Sequence, residues 1–310
     1  MIEEIEARRK ILDSTETGPV MWVPLSMSTG AFAGETIGAR IDSPLFDNSA
    51  MDGYAVRASE CRTGDTLRVA KAVQAAGPDV GHVVHPGEAV RIFTGAPVPP
   101  GADAVIMQED VKFADERKTK IEVLEGVEEG EFIRRRGSDV CEGQRILGRG
   151  EKITPATVGL IASQGLPNVP IFQRPLVNIL TTGDELVDPG EWLAEGEIYN
   201  SNGPMLAAAV ERIGGIAARL HAPDDPEVLR TVIKKAFQTG NFLIVAGGVS
   251  VGERDFVKGV LNDLGAKPEF WRVNVKPGKP FLFGRFEDRV SIFGLPGNPV
   301  SAFVTFSLFA

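Results

Sequence analysis

Apolar and polar positions change rhythm along the chain. Residues 2–12 set Ile2, Ile5, Arg9 and Leu12 at helical spacing, which predicts an amphipathic helix. Residues 20–60 are mixed, with several glycines and prolines. From about 64 to 135 the period shortens. TLRVAKAV, EAVRIF, DAVIMQED and KIEVLE alternate or run β-branched between Gly/Pro breaks. A small β-rich lobe is expected there, with GPDVGHVVHPGEAV and GAPVPPGAD as its loops. The segment 137–170 is turn-rich and then helical over TPATVGLIASQG. Thr154 is its N-cap, Pro155 its first residue and Gly165 its stop.

From 175 strands and helices alternate. LVNILTTGDE, AARLHAPDD, NFLIVAGGVS and RVSIFGLPG read as strands that end in polar or Gly-rich loops. GPMLAAAVERIGG, PEVLRTVIKKAF and DFVKGVLNDLG read as helices. In the second of these, Val228, Leu229, Val232, Ile233, Ala236 and Phe237 form one apolar stripe. The last stretch, NPVSAFVTFSLFA, is apolar on nearly every face and suits a helix buried on both sides. The expected fold class is α/β and multidomain. A β-rich lobe (43–136) is inserted in a mixed N-terminal region (1–42 and 137–170). An α/β domain with a mostly parallel sheet follows (171–310).

Composition narrows the function. The 310 residues are 43% hydrophobic and 24% charged, as in chains with packed cores. A formal net charge of -9 argues against nucleic-acid or membrane-surface binding, so an anionic ligand needs a local basic pocket. Cys61 and Cys141 lie far apart, which suggests a reducing compartment and no thiolate metal site. His82 and His85 sit in what reads as a strand entering a Pro-Gly turn, with too few neighbouring ligands for zinc. MIEEIEARRKIL is no signal peptide, and no apolar run reaches the roughly 20 residues that span a bilayer. A cytoplasmic location is expected.

In open α/β sheets ligands bind beyond the carboxyl ends of the strands. Those ends carry Thr181, Thr182, Gly183, Asp184 and Glu185; Asp224 and Asp225; Gly247, Gly248 and Ser250, with Asp255 further on; and Pro296, Gly297, Asn298 and Pro299. Asp225 before Pro226 reads as a helix cap, which leaves Asp224 as the spare carboxylate. Glu185 fits neither a strand nor a cap. Backbone N–H groups after Asn298 would favour an anion, and Gly247 and Gly248 would let a ligand approach the backbone. Carboxylates near phosphate-friendly loops suit Mg²⁺. KPGKP supplies Lys276 and Lys279, and RRRGSD supplies Arg134, Arg135 and Arg136, as oxyanion partners. In SPLFDNSAMDGYAV, Asp47, Asn48, Ser49, Asp52 and Gly53 read by themselves as a turn.

Taken in order, PLFDNSAMDGYAV, FTGAPVPPGADAVIMQE, RRRGSDV, TTGDELV, IYNSNGPML, GGVSVGERDF, KPGKP and GLPGNPVSAF resemble the MoeA and gephyrin E-domain family of molybdopterin molybdenumtransferases. The match runs from about Val23 to Phe306. The resemblance implies a homodimeric enzyme of molybdenum cofactor biosynthesis. It would insert molybdate into adenylylated molybdopterin and release AMP with Mg²⁺ assistance. Asp52, Thr94, Glu185, Asp224 and Asp255 would be the catalytic groups, with Glu185 and Asp255 on the metal. Arg134, Asp139, Lys276, Lys279, Pro296 and Pro299 would hold ligand, with Gly183, Gly247, Gly248, Ser250, Gly297 and Asn298 beside them. A molybdopterin adenylyltransferase and molybdoenzyme acceptors are the further partners implied. The family usually continues into a small C-terminal β-domain that these residues do not include, so activity is in question on that account. Two other readings stand beside the enzyme: an adenylylating relative, against which the β-rich lobe argues, and a non-catalytic dimeric scaffold or truncated remnant.

Overall fold

The computed structural model describes residues 1–78, 80–248 and 256–310. The chain divides into two compact units. One comprises Met1–Glu35, Gly150–Thr154 and Asn168–Ala310, the other Thr36–Arg149 and Pro155–Pro167. The first unit begins with helix α1 (Glu4–Ser14) and strand β1 (Val20–Pro24).

The second unit is built on six strands: β2 (Gly53–Val56), β3 (Thr66–Gln74), β4 (Glu88–Ile92), β5 (Ala104–Met107), β6 (Val111–Phe113) and β7 (Lys120–Val123). They form one sheet in the order β5-β2-β4-β3-β7-β6. Only the β3–β4 pair is parallel. All four predicted strand segments are found. All four residues of β2 are buried, and its Tyr54 and Val56 share a core with Leu67, Ile106, Ile121 and Val123. The stretch around His82 and His85 lies outside the regular strands, and β4 begins only at Glu88. Helix α2 (Pro155–Ser163) starts at the expected proline, and Gly165 takes a left-handed φ of 70° just past its end.

The first unit resumes with β8 (Asn168–Phe172), which pairs antiparallel with β1. Then come β9 (Leu176–Thr182), α3 (Asn202–Ile213), β10 (Ile216–Ala222), α4 (Pro226–Thr239) and β11 (Phe242–Ala246). They are followed by α5 (Phe256–Asp263), β12 (Lys267–Trp271), β13 (Leu282–Phe286), β14 (Val290–Leu295) and α6 (Pro299–Phe309). The sheet order is β10-β9-β11-β14-β13-β12. The first four strands are parallel and the last two antiparallel, so the mostly parallel α/β sheet is as expected. Strand alternation explains the unbroken apolar runs. Along β11 and β14, Ile244, Ala246, Phe293 and Leu295 pack with α1, α3 and α6, while Leu243, Val245, Val290 and Ile292 pack with α4 and α5.

Three helical faces differ from their sequence reading. In α1, Ile5 is 82% and Leu12 70% exposed, and Ala7 and Ile11 are buried instead. The small Ala7 is what lets this helix approach the α6 side of the core. In α4 the stripe holds from Leu229 onward, but Val228 in the first turn faces solvent. Helix α6 buries Ala302, Thr305, Phe306 and Phe309 and leaves Val300 and Phe303 exposed, so it is covered on one side rather than two.

Candidate functional site

The second unit sorts the polar loop 43–53 residue by residue. Asp47 accepts from the Arg136 amide at 2.8 Å and from the Arg135 guanidinium at 2.7 Å. Both contacts hold its carboxyl below the usual range, the backbone donor most. Asp42 takes the Arg136 side chain at 2.6 Å and the Glu142 amide at 2.8 Å. Ser49 Oγ donates to the Met51 carbonyl, which closes the turn. Gly53 is required by a close approach: a Cβ there would overlap the Ile106 carbonyl oxygen on β5. These residues build the loop.

Asp52 differs from its neighbours. Its carboxylate is exposed, and one oxygen accepts from both the amide and the hydroxyl of Thr94 at 2.8 Å. Those two donors, the amide first, hold its pKa below the ordinary carboxylate value. Asp52 and Thr94, predicted as functional from separate motifs, are thus brought together. Arg91 adds charge nearby, with its guanidinium 5.1 Å from both the Tyr54 and Phe93 rings and 2.5 Å from Gln108 Oε1. In RRRGSD, Arg135 and Arg136 are ion-paired, whereas Arg134 is exposed with no carboxylate partner among the described residues. Asp139 is exposed and near Ser138 Oγ at 3.5 Å.

In the first unit the predicted loops meet at the carboxyl edge of the parallel strands. Gly183 has φ 145°, and a Cβ on it would lie 2.5 Å from a Glu185 carboxylate oxygen, so glycine makes room for that carboxylate. Glu185 is exposed, and its side chain has no hydrogen-bond or ion-pair partner among the described residues. Gly247 and Gly248 both have left-handed φ values, 97° and 64°, at the end of β11. The Gly247 amide donates to the Leu295 carbonyl at 3.2 Å, and a Cβ on Gly297 would sit 3.7 Å from Gly247 Cα. The β11 and β14 loops therefore touch.

Pro296 is buried, and Gly297, Asn298 and Pro299 are exposed. Asn298 caps α6 by accepting from the Val300 and Ser301 amides at 3.1 and 3.3 Å, which uses two donors that the sequence reading had left for an anion. Asp225 caps α4 through the Glu227 and Val228 amides, as predicted, and Asp224 stands just before it. Lys276 and Lys279 are exposed and have no acidic partner among the described residues. Gly278 between them packs against Thr305 of α6. Ser250 and Asp255 lie outside the described residues.

Sequence reasoning missed three supports. Asn200 is buried, donates to Thr181 Oγ1 at 2.9 Å and accepts from the Gly203 amide at 3.0 Å. Asn202 donates to the Gly297 carbonyl at 2.7 Å, which ties the start of α3 to the β14 loop. Asp184 accepts the Asp224 amide at 3.0 Å. The Asn-Ser-Asn-Gly run before a helix was the available signal for the first two. A groove of about 770 Å³ in this unit, walled by Phe293, Phe306 and Phe309, is lined by none of the predicted site residues.

Two family models match the chain, and their boundary does not coincide with that of the two compact units. Residues 2–165 match the MoeA N-terminal region (domain I and II), and residues 178–310 match a probable molybdopterin binding domain. The molybdopterin molybdenumtransferase of Haemophilus influenzae is 39% identical over 307 residues, covering 97% of this chain and 74% of that protein. The chain belongs to the molybdopterin molybdenumtransferase (MoeA) family. The Bacillus subtilis member is 34% identical over 315 residues, covering 98% of this chain and 72% of that one. Among solved structures, a molybdopterin biosynthesis MoeA protein from Pyrococcus horikoshii superposes with a TM-score of 0.81 at 30% identity, over all of this chain and 78% of that one. A molybdopterin molybdenumtransferase is an enzyme of molybdenum cofactor biosynthesis, and the two-unit fold found here is the MoeA-like one.

Proposed function

We propose that this protein inserts molybdate into adenylylated molybdopterin, releases AMP, and uses the named loop residues to do so. One observation carries the residue assignment. Among the charged side chains of these motifs, Arg135, Arg136, Asp47 and Asp225 are consumed by the fold. Arg134, Lys276 and Lys279, which the resemblance gives to ligand, and Glu185, which it gives to catalysis and the metal, have no charged partner among the described residues. Exposed and unpaired, these cations are available to an anion, which a chain of net charge -9 can hold only with such local positive charge.

In this reading Arg134, Lys276 and Lys279 bind the phosphate and molybdate oxygens by charge-assisted hydrogen bonds. Asp139 and Asp224 accept from the N–H and O–H groups of the substrate. Gly183, Gly247, Gly248, Gly297 and Pro299 form the walls where substrate meets backbone, with Pro296 beneath, Asn298 holding the turn and Ser250 adding a hydroxyl. Asp52 stays ionised because Thr94 stabilises its charged form. The exposed Glu185 carboxylate fits a hard cation, and together with Asp255 it would hold Mg²⁺. The ion would offset charge on the pyrophosphate as that bond is cleaved. The positioned charges do the rest by electrostatic stabilisation.

The working unit is a homodimer, a reading supported by the exposed apolar strand β1. It takes substrate from an adenylyltransferase and passes cofactor to molybdoenzymes. The cytoplasm is the fitting compartment. Cys61 and Cys141 are both free thiols, and no helix among the described residues is long and apolar enough to cross a membrane.

The test is turnover of purified protein given adenylylated molybdopterin, molybdate and Mg²⁺, followed as AMP release and reconstitution of a cofactor-free molybdoenzyme. Glu185→Ala is expected to cost at least about 100-fold at unchanged fold. Full activity in that variant, or capture of partner proteins with no turnover by the wild type, would overturn the assignment.

A further inference from the structure

We infer that Asp184 is a positioning residue for Asp224, acting through a single side-chain to backbone hydrogen bond. This rests on the proposed role of Asp224. Strands β9 and β10 run parallel, and their last paired residues are Thr182 and Ala222. One more backbone contact follows, from the Gly183 amide to the Ala222 carbonyl at 3.4 Å. The ladder then stops. The residue after β10 is Pro223, and the next amide that faces β9 is that of Asp224; it finds no backbone acceptor there among the described residues, because Gly183 turns away at φ 145°.

Beyond that break the two loops carry the residues of interest, Glu185 on one and Asp224 on the other. Asp184 spans the gap. Its Oδ1 accepts the Asp224 amide at 3.0 Å, so a side-chain oxygen replaces the missing rung. Asp225 cannot serve, because its carboxylate is already engaged with the Glu227 and Val228 amides. Asp184 therefore fixes where Asp224 stands beyond the end of β9 while remaining exposed itself.

Thermodynamic coupling separates this role from a general effect on folding. Asp184→Ala, Asp184→Asn, Asp224→Ala and the Asp184→Ala/Asp224→Ala double variant are compared for kcat, KM and thermal midpoint. The expected result has four parts. Asp184→Ala loses about tenfold in kcat/KM, the worth of one hydrogen bond, chiefly in kcat. Asp184→Asn, which keeps a carbonyl acceptor, recovers most of the loss. In the Asp224→Ala background Asp184→Ala costs nothing further, so the two losses are not additive. Midpoints stay within about 3 °C of each other.

Wild-type rate in Asp184→Ala, or additive losses in the double variant, overturns the inference alone. A variant that loses stability and activity together without rescue by Asn also overturns it. If Asp224→Ala is itself fully active, the catalytic reading of Asp224 fails and takes this inference with it.

Discussion

Asp47 and Asp52 stand five positions apart in one loop and have different fates. The first is engaged by two arginines. Among the described residues the second accepts side-chain hydrogen bonds from Thr94 alone, whose hydroxyl can be removed without disturbing the backbone. Thr94→Val keeps the amide donor and deletes the O–H donor. The Asp52 pKa is depressed because both donors favour the carboxylate. Deleting one raises it toward the ordinary value of about 3.9. The sign for stability follows. A depressed pKa contributes stability above the unfolded value, and this is lost as pH falls through the folded one. Thr94→Val should therefore soften the acid dependence of unfolding slightly. Carboxyl NMR titration of wild type and variant reads the shift directly. An Asp52 titration that does not move would mean the amide alone holds the charge. None of this was legible locally, since the pairing joins positions 42 apart. The sequence offered two motifs and no reason for them to touch.

Elements with their own period were readable: four strands of the six-stranded lobe, the Pro-led starts of α2, α4 and α6, and the Gly-ended α3. What failed was the direction of helical faces. Whether Ile5 or Ala7 of α1 is buried depends on which small residue permits a close approach, and periodicity does not weigh size. Gly53 shows the same limit in a strand. Asp-Gly reads as a turn, yet this glycine opens β2 and faces the backbone of β5. Its register partner is Met107, far away in sequence. Gly53→Ala is expected to destabilise the protein by about 3 kcal/mol, at the upper end of overpacking effects, because the obstructing atom is backbone and cannot rotate aside. Urea unfolding should show a lower midpoint with unchanged slope. A midpoint equal to wild type would mean that β2 and β5 separate more easily than this pairing implies. Activity should fall with it, since Asp52 immediately precedes Gly53.

At the scale of the whole molecule the site residues fall into two groups. Asp52, Thr94, Arg134 and Asp139 belong to one compact unit, and Glu185, Asp224, Lys276 and Lys279 to the other. The change of rhythm near residue 175 separated the loops of these two groups but did not show that residues 1–35 belong with the α/β unit; nor was it legible which charges remain without partners, because that depends on Asp42 and Asp47 reaching arginines some ninety positions away. Association is the remaining property at this scale. Strand β1 is an edge strand of the two-stranded sheet it makes with β8, and its Val20, Met21 and Trp22 are 36%, 43% and 62% exposed. An exposed apolar edge is a liability unless something covers it. A second copy of the chain would satisfy the backbone edge and the side chains together. Sedimentation velocity at micromolar concentration should then give about twice 33.2 kDa. Trp22→Lys should shift the protein toward the single-chain mass, because a lysine on an apolar edge opposes strand pairing while leaving the β1–β8 backbone bonds intact. A wild-type protein that sediments as one chain would remove the dimer from the proposed function. A Trp22→Lys variant that stays dimeric would move the interface away from β1.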